Sequence, residues 1–422
     1  MQWELLGFKD DPFKTYPITS YTLALYTGNS EKIEQARYAL NTDNCIMVIE
    51  GERGVGTTSF ANYVRFTAHN NKKYFTPTGE IEVEPYWNAD TLLAAVIGNI
   101  VTTLELYHTE KVAKDDAFNA AKAIVSRITD TYRSFGITGL GIGGNYGSSG
   151  TTTQPMLMPT PMLAHHLEGL ITTIKALGYQ HGILIQLNNL DVGTVQDKKH
   201  LAMLLNVMRD YFQMPGSSWL LVGDTQLRQY IAQKIDRLDD IIVCDIEITP
   251  LSNREYNDLI NKRIAHFRAR EKVKLPVDKA VWDYLFEVTK GRLRYIFGLL
   301  NRLFNAFKLG ELTKYINLEM AKPAIKEFGE QRIKRHKLSQ TETSVLESVA
   351  NNGPIQVSDL AKLIDKAQTQ VSRILNNLHD LRLVSFKQEW RSKFYSASID
   401  AELAYGKKAT VTNNTRKRNN EE

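Results

Sequence analysis

Residues 45–60, Cys-Ile-Met-Val-Ile-Glu-Gly-Glu-Arg-Gly-Val-Gly-Thr-Thr-Ser-Phe, run from an apolar segment through a glycine-rich turn into a helical pattern. Strand, glycine loop and helix in that order are the context a phosphate-binding loop needs, and the spacing departs from Gly-x4-Gly-Lys-[Ser/Thr] at a single position. Gly51 and Gly56 hold the two glycine positions, and Thr58 holds the hydroxyl that would reach magnesium. The lysine position holds Thr57. Such loops grip anions chiefly through successive backbone N–H groups and the N-terminus of the following helix. The expected binding set is therefore Gly51, Arg53, Gly54, Val55, Gly56, Thr57, Thr58 and Ser59. A lysine would add a charge-assisted contact of about 1.5–3 kcal/mol. Its absence weakens binding about tenfold to more than a hundredfold unless another cation takes over, and Arg53 is the candidate.

A loop of this kind works with an acid at the end of a neighbouring strand, which holds magnesium through water. The buried-type run Ile183-Leu-Ile-Gln-Leu ends instead in Asn188-Asn189, the amides of the acids such chemistry uses. An amide accepts a hydrogen bond from a metal-bound water but carries no charge and cannot act as a base. Asp191, two or three residues on, is the one nearby acid that would replace them. With three charge-bearing positions neutral together, nucleotide binding without turnover, or a relic site, is expected ahead of hydrolysis. The plainer alternative is a glycine turn in an ordinary α/β domain.

Outward from the loop, helical patterns (30–40, 58–66, 89–106, 113–132, 163–177, 198–212, 226–233) alternate with apolar runs at 182–187, 219–224 and 241–248, and 73–83 reads as β-like. Continuous apolar strands between helices predict a parallel sheet covered on both faces. Within about 135–161, Gly139, Gly141 and Gly144 formally satisfy Gly-x-Gly-x-x-Gly. A helix precedes them and Ser, Thr and Pro follow, so a flexible insertion is expected and a dinucleotide site is not. From Leu251 to about Phe328 the pattern is all-helical, opened by a Ser252/Glu255 capping box. The expected organisation is an α/β phosphate-loop domain at 1–250, a helical lid at 251–330, a helix-turn-helix module at 331–400 and a basic tail at 401–422, structureless from about Gly406.

At 422 residues the chain exceeds one hydrophobic core. Its formal charge of +5 permits an anionic partner without demanding one, so the placement of charge decides. Cys45 and Cys244 sit in apolar runs and are expected as core thiols of a reducing compartment. With no long apolar span and no basic stretch before an early apolar core, a cytoplasmic protein without membrane partners is expected. The histidines, His165-His166 included, lack acids or cysteines at ligand spacing, so no metal centre beyond a magnesium at Thr58 is expected.

From Asp11-Pro12-Phe13 to about Phe328 the chain resembles the AAA+/STAND-type P-loop ATPases, in particular the origin-recognition-like branch that carries a C-terminal winged helix. Gly51 to Ser59 matches Walker A except at Thr57, and Ile183 to Asn189 matches Walker B except at its acids. Trp219 to Thr225 resembles the sensor 1 strand, with Asp224 or Thr225 at its polar position. Arg237 corresponds to the arginine-finger region, and Leu251-Ser252 to the start of the lid. Gly291-Arg292-Leu293-Arg294 resembles sensor 2, with Arg292 or Arg294 as its arginine. The glycine-rich insertion resembles extensions of STAND-like relatives. The resemblance implies ATP or ADP as cofactor, magnesium with it, and homo- or hetero-oligomers. The departures at Thr57, Asn188 and Asn189 remove the implication of ATP turnover and leave open a chain without cofactor.

Beyond the basic stretch 331–336, the turn at 351–354, a short helix from Ser358 and a longer one from Gln368 predict a helix-turn-helix, with β-like runs at 384–388 and 393–397 as a wing. A recognition helix presents its N-terminal residues to the major groove. Gln368, Thr369, Gln370 and Arg373 are the expected contacts there, and Lys387, Arg391 and Lys393 those of the wing. Basic residues on the wing, at 331–336 and in the tail favour double-stranded DNA over a protein partner. The expected function is a DNA-bound assembly or regulatory factor. The alternatives are an active DNA-dependent ATPase relying on Arg53 and Asp191, and a non-enzymatic scaffold.

Overall fold

The computed structural model describes residues 3–134, 158–192, 195–271, 273, 275–307, 315–390 and 392–406. Most of the glycine-rich segment, residues 407–422 and Arg391 lie outside them. The chain forms two compact units, Tyr16–Lys262, and Met1–Thr15 with Arg263–Glu422.

In the first unit the order is α1 (Ser30–Ala39), β1 (Ile46–Gly51), α2 (Thr57–Asn70), β2 (Ile81–Glu82), α3 (Ala89–Val112), α4 (Asp116–Ser134) and α5 (Thr160–Ala176). Then come β3 (Ile183–Asn188), α6 (Val195–Phe212), β4 (Ser217–Gly223), α7 (Leu227–Lys234), α8 (Asp236–Asp239) and β5 (Cys244–Ile248), and α9 (Asn253–Phe267) crosses the division. The five strands form one parallel sheet in the order β2-β3-β4-β1-β5, with Ile49 level with Val222 on one side and Ile246 on the other.

Successive strand residues point to opposite faces, so each uninterrupted apolar run feeds two cores. Ile46, Val48, Ile183, Ile185, Trp219 and Leu221 pack against α3, α4, α5 and α6. Met47, Ile49, Leu184, Leu220, Val222 and Ile246 pack against α1 and α2. Each such side chain contributes about 1.5–3 kcal/mol on full burial. Cys45 and Cys244 lie unbonded in the second core, where burial pushes the Cys45 thiol up to about 12. α3 has the length and composition to cross a bilayer, yet most of it is buried inside the unit.

The β-like run expected over 73–83 is mostly not strand. Phe75 makes one bridge to Ile183, and pairing with β3 resumes only at Ile81–Glu82. Pro77, lacking an N–H, cannot continue the ladder, and the chain leaves the sheet between Thr76 and Glu80.

The second unit contains α10 (Lys279–Val288), α11 (Leu293–Ala306), α12 (Leu318–Lys334), α13 (Gln340–Asn352), β6 (Ile355–Gln356), α14 (Val357–Leu363) and α15 (Gln368–Asp380). It ends with β7 (Val384–Glu389), β8 (Ser392–Ala397) and α16 (Ile399–Tyr405). Residues 1–15, which the sequence placed with the α/β domain, belong here. Phe13 is fully buried among Trp3, Trp282, Phe297 and Phe304, with its ring 5.0 Å from that of Trp282. Arg263, buried, donates to the Pro12 carbonyl at 2.9 Å, and Asp11 accepts from the Phe13 N–H at 2.7 Å.

Residues 331–334 of the basic stretch form the last turn of α12, which ends at Lys334. Arg332 donates to both carboxylate oxygens of Asp400 at 2.8 Å, and Ile333 enters the C-terminal core. That core joins Val345, Leu346, Leu360, Val371, Leu375, Leu378 and Tyr395 beneath an antiparallel sheet in the order β6-β8-β7. α14 starts at Val357, one residue before the expected cap Ser358. Residues 401–405, expected in the tail, lie in α16, which Ser398 caps and which buries Ile399, Ala401, Leu403 and Ala404.

Candidate phosphate-binding loop and the surfaces around it

β1 lies between β4 and β5, so its loop leaves the C-terminal edge of the sheet, where ligands of parallel α/β sheets gather. Gly54 at φ 95° and Gly56 at φ 104° occupy the left-handed region that favours glycine. At Gly51 the constraint is contact. A Cβ there would lie 2.7 Å from the Ile248 carbonyl oxygen and 2.9 Å from Thr57 Oγ1. Val55 N–H donates to Glu52 O at 3.2 Å to close the turn, and the Val55 side chain is buried in the core shared with α2. Arg53 is exposed on the loop.

Gly56 caps α2 with its backbone alone, and no side chain bonds the first turn. The first N–H groups of a helix have no partner within it, so those of Thr57, Thr58 and Ser59 face outward at the positive end of the helix dipole. The geometry is that of an anion cradle. Thr57 sets its hydroxyl against Gly51 where a lysine would reach past the loop. Ser59 Oγ accepts from Ile18 N–H at 3.2 Å.

At the end of β3, Asn188 is buried. It accepts from Gln186 Nε2 at 2.8 Å and donates to Glu80 Oε2 at 2.8 Å. Asn189 is exposed at φ 63°, a left-handed conformation that asparagine tolerates, and the chain then turns so that Leu190 N–H reaches Val222 O at 3.1 Å. Its amide identity therefore has a backbone reason. Asp191 is exposed near Asp224, whose carboxylate accepts from Val192 N–H and Gln226 N–H at 3.1 Å each. Burial pushes the Asp224 carboxyl up, and Asp191 adds to it. Glu50, immediately before Gly51, is pushed up by burial too, although it accepts from Arg228 N–H at 2.9 Å. Thr225 is exposed. Among the described residues no cluster of three or more His, Cys, Asp or Glu side chains is placed to hold a metal ion.

Glu80 is the residue that sequence reasoning missed. It takes hydrogen bonds from Asn188 on β3 and Asn62 on α2. Asn62 in turn accepts from Arg65 Nε at 3.0 Å and donates to Ile18 O at 2.8 Å. Arg65 is fully buried and pushed down to about 10 by that burial, with Glu80 opposing the shift. No local signal connects residue 80 to residue 188; a buried-network argument from Arg65 and Asn62 would have needed the fold first.

The remaining predicted arginines divide between the units. Arg237 is exposed on α8, in the unit that carries the loop. Arg292 is the N-cap of α11 and Arg294 is exposed in its first turn, both in the other unit.

On the C-terminal module, Gln368, Thr369 and Arg373 are exposed along α15, Gln370 is half-buried, and the apolar stripe Val371, Ile374, Leu375 and Leu378 faces inward. Register pairs Lys387 with Phe394 and Gln388 with Lys393, so Lys387 and Lys393 lie on opposite faces of the hairpin. Lys393 packs over the Phe386 ring at 4.4 Å and, with Ser372, Asn376, Ser358 and Tyr395, lines a cleft of about 360 Å³. Trp390 at the hairpin tip is 98% exposed, so it takes no part in the core.

A protein-family model described as HVO_A0114 matches residues 337–400, the span from just before α13 into α16. Comparison with curated proteins finds no match. Among solved structures, the chain is similar to the Aeropyrum pernix ORC2 protein in ADPNP–ADP complexes, at 16% identity and a TM-score of 0.49 over 94% of this chain and 96% of that one. It is similar to the Aeropyrum pernix ORC1 protein in complex with DNA, at 13% identity and a TM-score of 0.45 over 92% and 96%. A third similar structure is the Thermotoga maritima RuvB Holliday junction branch migration motor, at 10% identity and a TM-score of 0.39 over 88% and 92%.

Proposed function

We propose that this chain is an AAA+-type protein that binds ATP or ADP at residues 51–59, turns it over slowly or not at all, and engages double-stranded DNA through its C-terminal module. The observation that carries the reading is the uncapped N-terminus of α2 behind a loop whose glycines hold left-handed conformations. That arrangement binds phosphate through backbone N–H groups whatever occupies the lysine position. Thr58 is the residue for a magnesium ion brought with the nucleotide. Slow turnover follows from Thr57, Asn188 and Asn189, none of which supplies a charge or a base.

The module of α13, β6, α14, α15 and the β7–β8 hairpin is read as a winged helix, with α15 as the groove-reading helix. Its exposed Gln368, Thr369 and Arg373 carry the donors and acceptors that base edges require, and Lys393 serves the phosphate backbone. Gln370 and Arg391 complete the set expected from sequence, and Lys387, on the hairpin face opposite Lys393, is left out of it. The protein is then a cytoplasmic DNA-bound assembly or regulatory factor, with Arg237 as the arginine finger of a homo- or hetero-oligomer.

Calorimetry with ATP and ADP, with and without magnesium, tests the first half. Saturable heat supports it, and silence at millimolar nucleotide overturns it. Fluorescence anisotropy on a duplex across a salt series tests the second half, where an affinity that does not fall with salt rules out phosphate contacts. A second reading, slow hydrolysis assisted by Asp191, draws on the closeness of Asp191 to Asp224. Turnover that disappears in Asp191→Asn would establish it.

A further inference from the structure

Glu80 does more than balance a buried arginine. Its two carboxylate oxygens each take one side-chain donor, Asn62 Nδ2 from α2 and Asn188 Nδ2 from β3. A carboxylate oxygen accepts two hydrogen bonds, so each oxygen keeps acceptor capacity beyond its amide. By hydrogen bonds among the described residues, Arg65 reaches the group through Asn62, and its donors go to Asn62 Oδ1, Thr76 Oγ1 and the Pro77 and Gly79 carbonyls.

The position matters as much as the satisfaction. Asn62 lies four residues after Thr58, so the two share one face of α2 a single turn apart. Ser59 and Asn62 both hold Ile18, one at its N–H and the other at its carbonyl. Glu80 therefore sits against the same helix face that opens at the phosphate loop, and against the end of the strand next to β4. Gln186, two residues before Asn188, is turned toward the same amide and leaves its Oε1 buried without a partner among the described residues.

We propose that Glu80 supplies the carboxylate of the nucleotide site, as a positioning residue for the water shell of a nucleotide-bound magnesium ion, with Asn188 and Asn62 as the amides that aim it. The acid and the amide have exchanged places. The amide stands at the end of β3, and the acid arrives from the segment preceding β2. This inference rests on the nucleotide reading above.

The test is calorimetric titration of the full chain with ATP, with and without magnesium, alongside thermal melts. In the wild type magnesium raises ATP affinity by about tenfold, and Glu80→Gln removes most of that gain while leaving magnesium-free affinity within about threefold. The double variant Glu80→Gln with Asn188→Glu, which returns the carboxylate across the same hydrogen bond, recovers the gain. If Glu80→Gln fails to fold, Glu80→Asp keeps the charge opposite Arg65 while withdrawing the carboxylate by one methylene, and it shows a reduced gain. A folded variant that loses melting temperature but keeps the full magnesium gain overturns the proposal and leaves nucleotide binding intact. A wild type that binds no nucleotide overturns both.

Discussion

The loop at the C-terminal edge of the five-stranded sheet and the exposed face of α15 are built on opposite terms. At the loop, the groups aimed outward are backbone N–H groups, and the sequence matters mainly where it permits the path: Gly51, Gly54 and Gly56. On α15 the backbone is consumed by the helix, and any recognition falls to Gln368, Thr369 and Arg373. A site made of backbone survives loss of its charged side chains with its shape intact. A site made of side chains does not. This is why Thr57, Asn188 and Asn189 are compatible with a loop that keeps its backbone shape, whereas one substitution on α15 would change the surface that helix presents.

The comparison breaks most visibly at Gly51. In Gly51→Val the new side chain meets the Ile248 carbonyl and Thr57, which line the position at 2.7 and 2.9 Å from an added Cβ. Overpacking at the end of β1 costs about 1–3 kcal/mol, and the displaced loop loses its convergent N–H groups. Nucleotide binding in calorimetry is expected to vanish while DNA binding in anisotropy persists. Loss of both would show that the two regions are coupled.

Thr57→Lys tests the same side from the opposite direction. Restoring the cation adds a charge-assisted contact of about 1.5–3 kcal/mol, so ATP affinity rises about tenfold or more. An unchanged affinity would mean that the Thr57 hydroxyl, packed against Gly51, leaves no path for a longer chain to the phosphates.

On α15, Arg373→Ala is expected to weaken duplex binding by about 1–3 kcal/mol and to relax preference at one base pair, as loss of a base contact does. Lys393→Ala weakens all sequences alike and lowers the salt slope by about one phosphate contact. Lys387→Ala, on the opposite face of the hairpin, serves as the contrast, and an effect equal to that of Lys393 would overturn the assignment of faces.

Much of this architecture was readable in advance because buried parallel strands are apolar on both faces. β1, β3 and β4 stand out from their surroundings as uninterrupted runs. The glycine loop after β1 was readable because its glycines are demanded by local geometry. What escaped was set by contacts between distant segments. Phe13 joins the aromatic cluster of α10 and α11, nearly three hundred residues later in the chain. Arg332 in the basic stretch lies in the last turn of α12 and is held by Asp400, a contact that the sequence spacing does not signal. Glu80 lay hidden in a run that reads as strand until Pro77 breaks it, and nothing in its neighbours points to Asn188.

The smallest predicted effect concerns how α2 holds that segment. Its side chains Asn62, Arg65 and His69 clamp residues 76–80 in succession: Asn62 to Glu80, Arg65 to the Pro77 carbonyl, and His69 Nδ1 accepting from Thr76 N–H at 3.2 Å. Burial, with Lys72, His108 and Arg65 nearby, pushes His69 down to about 4 from 6.5. A group with a depressed folded value favours the neutral form, so its contribution is complete above about pH 6.5 and is lost as pH falls toward 4. Discounted for partial exposure, the loss is about 1–2 kcal/mol, with His108, also pushed down by burial, adding in the same direction. Denaturant unfolding at pH 7.5 and pH 5 should show this decline. His69→Gln, which keeps an acceptor but does not titrate, should flatten it. Among the described residues no comparable set of side chains holds the segment between α14 and α15, so acid should loosen the edge of the sheet next to Glu80 before it alters the proposed duplex binding. An equal decline in His69→Gln would place the acid sensitivity elsewhere and remove the clamp from the account of that edge.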